Sequence, residues 1–141
     1  MHHQHHETGA SRAPHQPADP GQPDAALTRR SAAAVSELTQ RVLGKKPDVI
    51  AIAVQYVPRE QWIIGGEALS DTGRNAFHLD ISVTDETNTK AEKAAYLKAV
   101  FEALSELIGN VHPVSYIHVI DARAAAYGYG GLTQEYRHQH G

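Results

Sequence analysis

The chain has 141 residues, 41% hydrophobic and 21% charged, with a formal net charge of −3 and no cysteine. That length suits one domain burying roughly two-thirds of its unfolded surface, and the missing cysteines exclude disulfides, Cys-ligated zinc and thiolate catalysis. The mildly acidic balance gives no electrostatic reason to bind nucleic acid or an anionic membrane; with no bilayer-length apolar run and no signal-peptide core, a soluble cytoplasmic protein is expected.

The composition is uneven. Residues 1–23 hold five of the ten histidines and four of the seven prolines, and their only apolar side chains are Met1, Ala10, Ala13 and Ala18. Such a stretch cannot offset its ordering entropy by burial. Disorder is therefore expected over 1–23 and a folded domain over 24–141. Met1-His2-His3-Gln4-His5-His6 resembles an imperfect purification tag; its histidines give metal affinity without implying a metalloenzyme.

From Ala25 to Leu43, the residues Leu27, Ala34, Val35, Leu38 and Val42 recur at helical spacing, with Asp24 placed to cap and Gly44 to terminate. Val49–Val57 is a β-branched run ended by Pro58 and reads as a buried strand. Phe77–Val83 alternates apolar and polar residues, the period of a strand with one buried face. Thr89 and Glu92 have capping-box spacing ahead of a second helical stripe, Leu97, Phe101, Leu104 and Ile108, closed by Gly109. Tyr116–Ile120 reads as another strand, and the polar tail from Gln134 as a fraying end.

These elements repeat at an offset of 65 residues. Gly44 matches Gly109, Ile52 matches Ile117, Val54 matches Val119, and Trp62 with Gly65-Gly66 matches Tyr127 with Gly130-Gly131. The order implies two β-α-β units in an α+β, two-layer sandwich: a four-stranded mixed sheet carrying both helices on one face. The repeat also requires a strand at about residues 12–18. Arg12-Ala13-Pro14-His15-Gln16-Pro17-Ala18 stands there, and two prolines make it a very poor interior strand.

Several motifs then carry a family likeness. Gly44-Lys45-Lys46-Pro47 followed by an apolar strand and Trp62-Ile63-Ile64-Gly65-Gly66, then Asp80-Ile81-Ser82-Val83-Thr84, Thr87-Asn88-Thr89, Tyr116-Ile117-His118-Val119 and Tyr127-Gly128-Tyr129-Gly130-Gly131, resemble the tautomerase superfamily. The nearest branches are bacterial double-length 4-oxalocrotonate tautomerase-like proteins and the macrophage migration inhibitory factor group. The resemblance implies a homotrimer with sites between subunits, no cofactor, and an isomerase activity on small 2-oxo or enol carboxylates. It also implies an N-terminal proline amine as base, neutral near pH 7 because its apolar pocket disfavours the cation.

By that resemblance Lys45 is a substrate-binding lysine, and Val83, Tyr116, His118, Tyr127 and Tyr129 border the pocket. Lys46 and Arg123 are further cations, for which a solvated surface role is the alternative. Tyr116 and His118 share a strand face by period two; a core or satisfied role competes for both. Residue 2 is His where the family has Pro, and Pro14 serves as base only if the chain is cleaved after Ala13. Two readings therefore stand: a cofactor-independent keto–enol tautomerase, or a non-enzymatic binding or assembly protein of the same fold that lacks the base.

Overall fold

The computed structural model describes residues 22–141. The expectations for the His tract, Pro14 and a strand at 12–18 lie outside the described residues.

Helix α1 spans Ala25–Leu43. The Asp24 carboxylate accepts the Leu27 N–H at 3.1 Å, and Gly44, at φ 70°, closes the last turn by donating to the Gln40 carbonyl. Leu27, Val35, Leu38 and Leu43 form its buried face. After a 3₁₀ turn at Pro47–Val49 the chain runs on without regular structure to Val57. Among the described residues the expected strand over Val49–Val57 makes no ladder, and alternate residues are only half-buried; the neighbour that the repeat assigns to it, 12–18, lies outside the described residues.

A hairpin follows, β1 (Ile63–Ile64) with β2 (Glu67–Ala68), then the single-turn helix α2 (Leu69–Thr72). Strand β3 (Leu79–Thr84) leads through helix α3 (Lys90–Ile108) to strand β4 (Ile117–Ala122). β3 and β4 pair in parallel, with Leu79 opposite Ile117 and Thr84 opposite Ala122. A second hairpin, β5 (Gly128–Tyr129) with β6 (Leu132–Thr133), leads into helix α4 (Gln134–His140). The tail expected to fray from Gln134 is thus helical, with the Thr133 hydroxyl accepting the Tyr136 N–H at 3.0 Å.

The duplication is visible in the backbone. Ile63 pairs with Ala68 as Gly128 pairs with Thr133, the same offset apart. The Leu69 N–H donates to Trp62 and the Gln134 N–H to Tyr127, both at 2.9 Å. Each hairpin turns on a Gly-Gly pair with φ between 60° and 83°, which suits a two-residue loop with both residues left-handed.

The four-stranded sheet of the sequence reading reduces, among the described residues, to the β3–β4 pair and two small hairpins. Both long helices lie over one side of β3–β4, and the core gathers Leu27, Val35, Leu38, Phe77, Leu79, Val83, Tyr96, Val100, Leu104 and Ile108. α3 buries Leu104 and Ile108 as expected, while in its first half Tyr96 and Val100 are buried in place of Leu97, which is exposed, and Phe101, which is half-buried. A buried polar contact ties the helices: Thr39 Oγ1 lies 2.8 Å from Tyr96 Oη and donates to the Val35 carbonyl at 2.6 Å.

The capping box of α3 is complete. Thr89 Oγ1 accepts the Glu92 N–H at 3.1 Å and the Glu92 carboxylate accepts the Thr89 N–H at 2.8 Å. Thr89→Ala should lower unfolding free energy by about 1 kcal/mol, measured by urea titration, with Thr89→Ser restoring most of it.

Candidate active site

A groove of about 340 Å³ opens along the edge of β3 that faces away from β4. Val35 and Thr39 of α1 line it from the helix layer, residues 49–52 form one wall, and residues 79–84 form the other. Lys45, Tyr127, Gly128, Tyr129 and Gln134 complete its lining.

Local structure fixes the polar groups. Gly44 ends α1 in the left-handed region and turns Lys45 toward the β3–α3 loop, where its Nζ donates to Thr87 Oγ1 at 3.0 Å. Asn88 Nδ2 donates to the Leu43 carbonyl at 2.9 Å and pins that loop to the helix end. Burial holds the Lys45 pKa below the ordinary lysine value, outweighing the opposite pull of the Glu92 carboxylate. The Tyr127 hydroxyl lies 2.6 Å from Thr84 Oγ1. An ammonium and a phenol thus border one small, largely apolar groove.

A second cluster lies on the sheet face turned away from the helices and shares Asp80 with the groove lining. His78 Nε2 lies 2.8 Å from Asp80 Oδ1, and His118 Nδ1 lies 3.9 Å from the same oxygen. The two imidazoles are 5.2 Å apart, and Tyr116 meets His118 edge-on at 5.9 Å. Among the described residues no group of three His, Asp or Glu side chains has the geometry to hold a metal.

No family model and no curated protein matches the sequence. Solved structures do. The chain superposes on a native fused 4-OT with a TM-score of 0.65 and 16% identity, over 84% of this chain and 93% of that one. A fused 4-OT described as a wild-type symmetric trimer gives 0.60 and 18%, over 79% and 88%. The macrophage migration inhibitory factor of Oncomelania hupensis gives 0.60 and 14%, over 73% and 81%. The chain has the tautomerase-superfamily fold.

On this tautomerase fold, Lys45, Val83, Tyr127 and Tyr129 line the groove. Tyr116 and His118 do not: even-numbered β4 residues point away from the helices, and both are exposed. Arg123 and Lys46 are also exposed and outside the groove. Sequence reasoning missed Thr84, whose hydroxyl holds Tyr127, and Thr39, whose place on the buried helix face was its only signal. It also missed the His78–Asp80–His118 association. That cluster was encoded in the alternation of Phe77–Val83, whose polar positions lie opposite those of β4 once the two strands pair in register.

Proposed function

We propose that this chain binds small 2-oxo or enol carboxylic acids and interconverts their keto and enol forms by cofactor-independent proton transfer. The observation that carries this reading is the Lys45 ammonium, partly withdrawn from water beside an apolar groove on a tautomerase fold. A substrate carboxylate adds to the Glu92 attraction and offsets the desolvation of that ammonium. The Tyr127 hydroxyl, already engaged with Thr84, donates to the oxygen that becomes the enolate. Val83 and Tyr129 supply the apolar walls. The proton acceptor under this reading is an N-terminal proline amine, which His2 does not provide and Pro14 provides only after cleavage.

One observation favours a second reading, binding or assembly without turnover. Asp80, the one carboxylate bordering the groove among the described residues, is engaged by His78. Intact mass with N-terminal sequencing, followed by phenylenolpyruvate ketonisation in the ultraviolet, separates the two. Turnover that disappears in Lys45→Met supports catalysis. Saturable binding without turnover supports the second reading, and neither binding nor turnover overturns both.

We place the activity in a cytoplasmic homotrimer. Support comes from the trimeric fused 4-OT neighbours and from the outward apolar side chains of Tyr116 and Ile120, 59% and 45% exposed. Sedimentation equilibrium should return three copies; a monomer at working concentration overturns the assembly. Among the described residues no helix is long and apolar enough to cross a membrane.

A further inference from the structure

The two repeats seat their hairpins differently. At the offset of the duplication Leu69 of α2 corresponds to Gln134 of α4, and Thr72 to Arg137. Leu69, directly after the first hairpin, is fully buried. α4 buries no residue; Gln134 and Arg137, one turn apart, are its only half-buried side chains. The second hairpin has exchanged an apolar anchor for an amide and a guanidinium, on the side where Gln134 joins the groove lining.

Arg137 reaches back to β5. Its guanidinium lies over the Tyr129 ring, 3.9 Å from the ring centre, and its Nη2 donates to the Tyr129 carbonyl at 2.9 Å. One planar fork thus holds both the side chain and the backbone of a single residue, which the point charge of a lysine reproduces only in part. A Cβ at Gly130 would stand 2.8 Å from that same Nη2, so the bare turn leaves room for the fork. The Arg137 Nε is buried without a hydrogen-bond partner among the described residues. An unmet donor costs stability, and departures of this kind gather where a protein serves a site rather than its fold.

Tyr129 lines the groove while remaining 47% exposed. A side chain so exposed turns among rotamers, and a ligand packing on it must supply the free energy of stopping it. With the guanidinium over one face, the ring meets the groove already fixed. We propose that Arg137 is a positioning residue that sets the ligand preference of the groove: by clamping Tyr129 it favours 2-oxo acids with an aromatic substituent over those with a small one. The proposal rests on the carboxylate reading above. There Lys45 takes the carboxylate common to all these acids, so the clamp acts on the substituent alone.

The test compares phenylpyruvate with pyruvate, which share the 2-oxo carboxylate and differ by a phenyl ring, by calorimetry on the full chain. Arg137→Gln is expected to weaken phenylpyruvate binding by about twofold to tenfold, the range for ordering one side chain on association, and to leave pyruvate binding unchanged. Arg137→Lys, which keeps a cation for the ring, should recover part of the preference. In the unaltered chain the Arg137 Nε–H resonance should be displaced by the ring current of Tyr129 and lose that displacement in Tyr129→Leu. Equal weakening of both acids in Arg137→Gln overturns the proposal, because it shows a general structural role. An unchanged preference, or an Nε–H resonance indifferent to Tyr129, also overturns it. An unaltered chain that binds neither acid defeats the carboxylate reading and this proposal together, whereas binding of both with no change of preference defeats this proposal alone.

Discussion

Phe77→Ala should cost about 3–5 kcal/mol of unfolding free energy. The ring is fully buried immediately before β3 and lies 5.9 Å from Phe101 of α3. The Phe77 backbone N–H donates to Ser115 Oγ at 3.3 Å, and that hydroxyl donates to the His112 carbonyl at 2.8 Å just before β4. Phe77 therefore packs where β3, α3 and the approach to β4 converge. Domains of this size hold about 5–15 kcal/mol in total, so the variant loses about a fifth of its stability or more. Urea titration reads this as a lower midpoint at nearly unchanged slope. Phe77→Leu keeps most of the volume and should cost less than half as much; a loss below about 1 kcal/mol in the alanine variant would show that the core relaxes around the gap.

Lys45→Met should weaken binding of a small 2-oxo acid by about tenfold to a hundredfold, the range for losing a charge-assisted hydrogen bond. Methionine keeps the length and apolar stem, so Thr87 loses a donor while the groove keeps its shape. The pH dependence has a definite sign. In the free protein burial lowers the Lys45 pKa from its ordinary value of 10.5; a bound carboxylate raises it again. Binding therefore takes up a proton between those two values, and affinity falls as pH rises through the lowered one. Calorimetry in buffers of different ionisation enthalpy measures that uptake, and Lys45→Met should abolish it. For folding the sign is opposite to that of binding. A lysine with a depressed folded pKa contributes stability that is present above its unfolded value and lost as pH falls through the folded one. The desolvated ammonium thus works against the fold at neutral pH, and Met at this position should not destabilise it. Unchanged affinity in the variant would place the carboxylate elsewhere.

The parts of the fold written in local chemistry were legible. α1 runs from its Asp24 cap to Gly44 as its spacing indicates, and Thr89 with Glu92 marks the start of α3. The offset between Trp62-Gly65-Gly66 and Tyr127-Gly130-Gly131 anticipated two superposable hairpins, because each Gly-Gly pair dictates the same turn. What was not legible depended on neighbours. Val49–Val57 has the composition of a strand, yet pairing is a property of two segments, and it joins no ladder among the described residues. The tail from Gln134 is polar and lacks an apolar stripe; its helix follows from the Thr133 cap and the repeat of the Trp62–Leu69 hydrogen bond at Tyr127–Gln134. In the site, Lys45 and Tyr127 reach the groove because a glycine cap and a hairpin aim them. Tyr116 and His118 share a face, as period two requires, but only the pairing of β4 with β3 decides that this face turns away from the helices.

The two halves of the repeat are unequal in one further respect. The second closes upon itself, since β3, α3 and β4 share a parallel ladder and a helix laid across it. The first is fastened chiefly by the packing of α1 on α3, with the Thr39–Tyr96 contact at its centre and Tyr56 Oη donating to the Asp24 carbonyl at 3.0 Å. Cooperative units open in order of their internal connectivity. Amide exchange is accordingly expected to be faster in residues 50–57, which join no ladder among the described residues, than in the paired strands β3 and β4.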